Sequence, residues 1–214
     1  MAIDKIIEIP VFLTIHLFLI VLGLTQKLIS EDNEKELIRE VKKGNKFAFN
    51  TLIEKYQKKI YYLARKIVMN HQDADEVVQE TFIKAYKNIS HFSEEYKFYT
   101  WLYRIATNTS LSLLKKRKSQ GLSLEELSEN DYFQPESSDD TQQISQTSEL
   151  NMLVKKALEN LSPQLRTVFI LRTWEELSYN EIAETLKISK GTVMSRLNRA
   201  RNKLKKYIKK YKDI

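Results

Sequence analysis

The chain contains no cysteine, so it has neither a disulfide framework nor a thiolate metal site. Its three histidines, His16, His71 and His91, stand far apart in sequence. The composition therefore favours neither metal nor thiol chemistry, and no catalytic residue, metal or cofactor is expected. Glycine and proline are scarce, 4 and 3 in 214 residues, and the apolar residues of the long segments recur at helical rather than alternating spacing. An all-α protein is predicted. With 42% hydrophobic and 29% charged residues the chain is large enough to bury a core, as one domain or two small ones.

Charge is plentiful and unevenly placed. Residues 151–214 hold 15 Lys or Arg against 6 acids, residues 119–150 hold 8 acids and no base, and residues 1–118 hold 20 bases against 14 acids. Basic folded segments suit a polyanion, because each neutralised phosphate releases counterions. The acidic stretch, rich in Ser and Gln and without a sustained helical stripe, reads as a flexible linker between two helical domains.

Before the linker four helices are predicted. The first is capped by Ser30 or Asp32 and stopped at Gly44; the others run over about 48–68, 73–89 and 96–118. On the third, Val78, Phe82, Ala85 and Ile89 form the expected buried stripe, with Glu76, Gln79, Glu80, Ile83 and Lys87 opposite. On the fourth, Phe98, Leu102, Ile105, Thr109 and Leu113 face inward, while Lys97, Trp101, Arg104, Asn108 and Lys115 fall within about 60° of one another on a different side. An aromatic ring among cations and an amide suits separated DNA strands, the ring stacking on a base and the cations holding the backbone.

After the linker, residues 149–160 read as helical, and Ser162-Pro163 opens a helix ending near Leu177. Ser178 and Glu181 have the spacing of a capping box, followed by Ile182, Ala183 and Leu186 as inward residues. Ser189 caps the final helix after a turn short enough for a helix-turn-helix. Val193, Leu197, Ala200, Leu204 and Ile208 make its inward stripe; Thr192, Ser195, Arg196, Asn198 and Arg199 lie on the remaining face, carrying side chains able to read base edges or hold phosphates.

Taken together, "LSYNEIAETLKISKGTVMSRLNRARNKL", "DADEVVQETFIKAYKNI" and "FYTWLYRIATN" resemble the sigma-70-type RNA polymerase sigma factors, specifically their small extracytoplasmic-function (ECF) group. The resemblance implies a region 2 domain over 30–118, an acidic linker over 119–150 and a region 4 helix-turn-helix domain over 151–214, and it leaves residues 1–29 outside as an apolar N-terminal extension. It implies promoter-specific initiation of transcription, in a stress or envelope response, with core RNA polymerase, duplex and melted promoter DNA, and an anti-sigma protein as partners. By resemblance, Glu76, Gln79 and Glu80 meet core polymerase; Phe92, Lys97, Trp101, Arg104 and Asn108 meet the melted minus-10 element, with Phe92 where a flipped base is accepted. Ser195, Asn198 and Arg199 meet minus-35 bases, and Thr192 and Arg196 lie near the phosphates. Lys187 stands where many relatives have Gly, and a left-handed backbone there costs a lysine up to about 1 kcal/mol.

Two rivals are weighed: a stand-alone helix-turn-helix regulator, and a nucleic-acid-processing enzyme, which needs a convergent acidic site. The apolar run "VFLTIHLFLIVLGL", residues 11–24, matches nothing in the family and is shorter than the roughly 20 residues that span a bilayer. An upstream translation artefact is preferred for it, a membrane tether second and a packed helix third. The expected location is cytoplasmic, with membrane contact through residues 6–24 not favoured.

Overall fold

A computed structural model describes residues 33–120 and 152–212, which form helices and one 3-10 turn. The apolar run at 11–24, the Ser30 or Asp32 cap and nearly all of the acidic linker lie outside the described residues. The chain divides into two compact units, Met1–Glu54 and Lys55–Ile214.

In the first unit, α1 covers residues 33–42, with Ile38 and Val41 buried. It stops at Gly44, whose φ of +97° lies where a side chain is disfavoured. The Asn45 side chain then accepts from the backbone N–H groups of Phe47 and Ala48, which starts the next helix two residues earlier than expected. That helix, α2 (Lys46–Val68), carries the chain into the second unit.

Within the second unit, Tyr56, Ile60, Leu63 and Ile67 follow one another at three- and four-residue steps along α2, with Ala64 beside Leu63, and all five are at most 4% exposed. The next helix, α3 (His71–Asn88), is capped by Asn70, whose side chain accepts from Asp73 N–H at 2.9 Å. A 3-10 turn (Ile89–His91) and a short loop lead to α4 (Phe98–Ser119). α4 packs on α3 and also on helices that follow the linker.

Two expected stripes shift by a residue. On α3 the buried valine is Val77, and Val78 is half-buried. On α4 Tyr103, Ala106, Ser110 and Leu114 are buried with Phe98, Leu102 and Thr109, whereas Ile105 and Leu113 are half-buried. The cause on α4 is that more than one neighbour covers it, which widens the buried face toward Tyr103 and Ala106.

Beyond the linker, α5 covers residues 152–159 and α6 (Pro163–Thr173) opens with the proline at its first position. Ser162 precedes it without a side-chain capping bond. α6 ends at Thr173, short of the expected Leu177. The chain reverses through Glu176 (φ 54°), Leu177 N–H bonds back to Leu171 O, and the Arg172 guanidinium donates to the carbonyls of Glu176 and Leu177.

The helix-turn-helix consists of α7 (Tyr179–Leu186) and α8 (Lys190–Lys212). Ser178 and Glu181 form the reciprocal capping box. Lys187 closes α7 in the left-handed region, φ 52° and ψ 46°, the conformation in which glycine is the usual residue. Inside α7 the buried residues are Ile182 and Thr185, with Ala183 and Leu186 only half-covered. Val193, Leu197, Ala200 and Leu204 of α8 are buried as expected, but Ile208 is 37% exposed. A 23-residue helix is about 35 Å long, and its last turns outrun the cluster formed with α5 and the start of α6, whose α8 members end at Tyr207.

Candidate nucleic-acid interface

The face of α4 is set by an aromatic cluster. Phe98, fully inside at the first turn, holds Tyr56 at 5.6 Å, Phe92 at 5.5 Å and Trp101 at 5.6 Å between ring centroids. Phe92 in turn lies 5.2 Å from Trp101. Tilted and edge-on contacts of this kind fix ring orientation as well as burying area. Trp101 is half-buried, pinned on one side by Phe92 and Phe98 and open on the other.

That open side borders a cavity of 270 Å³ lined by His91, Phe92, Ser93, Tyr96, Thr100, Trp101 and Arg104, with Glu184 and Thr185 of α7. Phe92 is only 4% exposed. Its ring is thus committed to the aromatic cluster, and it serves as a wall of the cavity rather than as a free surface for a base. Lys97 stands at the N-cap of α4 in extended backbone, Arg104 is half-buried, and Asn108, one turn further, is exposed. These residues recur along one side of α4 at three- and four-residue steps, as the sequence predicts.

On α3, Glu76 and Gln79 are exposed, and Glu80 is partly covered through its 3.0 Å ion pair with Lys84. Lys84 also donates to Thr109 Oγ1 at 3.2 Å, which ties α3 to α4. Ile83 shares this surface and is 50% exposed. The result is an acidic and amide face with one apolar residue at its centre.

On α8, Ser189 Oγ accepts from Thr192 N–H at 3.1 Å, capping the helix, and its hydroxyl meets Thr192 Oγ1 at 2.8 Å. Ser195, Asn198 and Arg199 are exposed, while Thr192 and Arg196 are half-buried at the edge. Arg199 Nε bends back to Ser195 O at 3.4 Å, and Asn202 donates to Asn198 Oδ1 at 3.3 Å. These weak, exposed bonds pre-orient the side chains and leave most of their donors available to bases. Val193, Leu197 and Ala200 on the opposite side anchor α8, so its polar residues face outward by packing.

Sequence reasoning missed three features. Asp73, read as the start of a helix, is buried and ion-paired with Arg117 between α3 and α4. Lys66 and Glu175, remote in sequence, form an ion pair of 3.8 Å with each side chain 12% exposed. Met194, 52% exposed, adds an apolar tip beside Ser195. Only Met194 had a sequence signal, since it falls off the inward stripe of α8.

Residues 52–120 match the family model described as Sigma-70 region 2, and residues 151–204 match the model described as Sigma-70, region 4. The ECF RNA polymerase sigma factor SigW of Bacillus subtilis is 36% identical over 186 residues, covering 82% of this chain and 96% of its own. The ECF RNA polymerase sigma-E factor of Haemophilus influenzae is 38% identical over 182 residues, covering 82% and 95%. Among solved structures, the sigma factor RpoE of Bartonella quintana in complex with the anti-sigma factor NepR matches with a TM-score of 0.60 at 25% identity, over 75% of this chain and 96% of that one. CnrH in complex with the cytosolic domain of CnrY matches with a TM-score of 0.58, also at 25% identity, over 83% and 97%. Both regions occur in one chain in the order their helices require, and the full-length relatives are covered almost end to end. This chain belongs to the ECF group of the sigma-70 family, and it is a sigma factor that directs RNA polymerase to initiate at particular promoters.

Proposed function

We propose a division of that work among three faces. Glu76, Gln79 and Glu80, around exposed Ile83, seat the chain on core polymerase. Lys97, Trp101, Arg104 and Asn108 capture the melted minus-10 strand, with Phe92 walling the cavity that receives an unstacked base. Ser195, Asn198 and Arg199 read minus-35 base edges in the major groove, with Thr192 and Arg196 on phosphates. The observation that carries this reading is the half-buried Trp101: its ring is held by Phe92 and Phe98 yet borders an open cavity flanked by Arg104.

The domain plan over residues 30–118, 119–150 and 151–214 belongs to the same proposal, with the acidic linker lying in the polymerase channels as a nucleic-acid mimic. The chain performs no catalysis itself; polymerase makes the RNA. It acts in the cytoplasm, and an anti-sigma protein holds it inactive, a reading supported by the similar sigma factor solved in complex with an anti-sigma factor.

The test is transcription of a pool of genomic fragments by core polymerase with and without residues 30–214. Discrete start sites that appear only with the protein support the reading. No initiation, together with retention of particular duplex fragments by the protein alone, would instead favour the stand-alone regulator.

A further inference from the structure

We propose that Met194 is a further specificity-determining residue, one that reads the C5 methyl group of a thymine in the minus-35 element. The inference rests on the reading that α8 lies in the major groove there.

Two observations carry it. At about 100° per residue Met194 stands about 90° from the mean direction of Val193, Leu197, Ala200 and Leu204. The packing that buries that stripe turns it outward, and it is 52% exposed. A lone apolar side chain on a surface is ordinary. This one sits in the second turn of α8, directly before Ser195 and one turn before Asn198, on the end of the helix that a helix-turn-helix aims at base edges.

The second observation is Gly191. Long helical side chains lie over the turn N-terminal to their own Cα, so Met194 leans over Lys190 and Gly191. Gly191 has no positive φ, so its backbone does not require glycine. Among the described residues beyond its neighbours and helix backbone, a Cβ here would meet only Ser189 Oγ, at 3.9 Å, so nothing inside the chain needs the room. Glycine also weakens a helix relative to alanine. The bare surface beside the thioether therefore suits close approach from outside, and in the groove the approaching group is the edge of a base pair.

Chemistry selects the group on that edge. A thioether donates no hydrogen bond and accepts only weakly. Pressed on a base donor or acceptor it would strip water from a group it cannot pair. The thymine methyl is the apolar group of the major groove, and against it the flexible methionine tip buries apolar surface on both sides. Asn198 is exposed about 40° round the helix and about 6 Å further along. With base pairs about 3.4 Å apart, the thymine should lie within about two base pairs of the base that Asn198 meets.

The experiment uses holoenzyme assembled from core polymerase and the full chain, and duplexes of a promoter that the factor uses. Each minus-35 thymine, on either strand, is replaced in turn by deoxyuridine, which keeps the pairing and the O4 acceptor and lacks only the methyl. One replacement is expected to weaken binding about fourfold, the worth of one buried methyl. Met194→Ala should lose the same factor on the thymine duplex and bind both duplexes alike. Met194→Gln, of similar length but with a polar tip, should also be indifferent to the methyl, and it stands in should the alanine variant fail to fold by circular dichroism. The proposal is overturned if no replacement changes binding or if a folded variant stays as sensitive to the methyl as the parent. It is overturned too if the sensitive thymine lies far from the position that Asn198→Ala relaxes. Arg199→Ala judges the underlying reading separately. An altered minus-35 preference keeps α8 in the groove and confines a failure to Met194, whereas an unaltered one removes the minus-35 assignment and the proposal with it.

Discussion

The Arg117 guanidinium, in the last turns of α4, pairs with the Asp73 carboxylate in the first turn of α3, and Asp73 is fully buried. Burial pushes the Asp73 carboxyl above the ordinary carboxylate range, Arg117 opposes that shift, and nearby Glu76 adds to it. Removing the cation leaves a buried charge without compensation. Arg117→Ala should therefore destabilise the chain by about 3 kcal/mol at neutral pH, measured by urea unfolding. The pH dependence follows in sign. A carboxyl whose folded value is raised binds its proton more tightly in the folded state, so the deficit should shrink as pH falls through that value. A deficit independent of pH would assign the loss to packing of the arginine stem instead.

The capping box of α7 predicts the opposite trend. Glu181 accepts from Ser178 N–H at 2.8 Å, and this bond, with help from the Ser178 hydroxyl, holds its carboxyl below the ordinary range. A lowered folded value contributes stability that is present above the unfolded value, about 4.3, and is lost as pH falls through the folded one. The stability gap between the parent chain and Glu181→Gln should thus be widest near neutrality and close in acid, as read from thermal melts across pH 7 to about 3. Ser178→Ala, which removes the other half of the box, should cost about 1 kcal/mol at neutral pH.

Lys187 adopts φ 52° at the end of α7, where its N–H bonds to the carbonyls of Ala183 and Glu184. A side chain is penalised in this conformation and glycine is not. Lys187→Gly should stabilise the helix-turn-helix by up to about 1 kcal/mol, and Lys187→Val should destabilise it. Equal melting temperatures for all three chains would contradict the strain.

Gln79 and Glu80 lie on a face of α3 that contributes nothing to the buried stripe. The double change Gln79→Ala with Glu80→Ala should leave the melting temperature within a few degrees of the parent. In a titration against core polymerase it should weaken binding about tenfold or more, the equivalent of about 1.4 kcal/mol. Undiminished affinity would move the polymerase contact to another surface.

Much of the fold is legible from spacing alone. The stripe Val193, Leu197, Ala200 and Leu204 and the Ser178–Glu181 box are local patterns, and the structure reproduces them. The left-handed backbone at Lys187 is suggested by the family resemblance, in which many relatives have Gly at that position, and not by the spacing itself. What escaped depends on several helices at once. Val77 replaces Val78, and Tyr103 is buried, because neighbours remote in sequence decide which edge of a stripe is covered. An acid such as Asp73 reads as a helix start until Arg117 is seen to meet it. Lys66 and Glu175 carry no sequence signal for each other. Trp101 was legible as a chemical type, but its half-buried setting came from Phe92 and Phe98.

The claim at the centre is that two helix faces read two promoter elements independently, and a promoter library randomised at both elements tests it most directly. Transcription by holoenzymes carrying the parent chain, Arg199→Ala or Asn108→Ala should be sequenced and compared. Arg199→Ala should lose about 1 to 3 kcal/mol of discrimination at one minus-35 position and leave minus-10 preferences unchanged. Asn108→Ala should relax the minus-10 element alone. A uniform loss over all sequences would make both residues backbone contacts, and relaxed preference at the wrong element would contradict the assignment of the two faces.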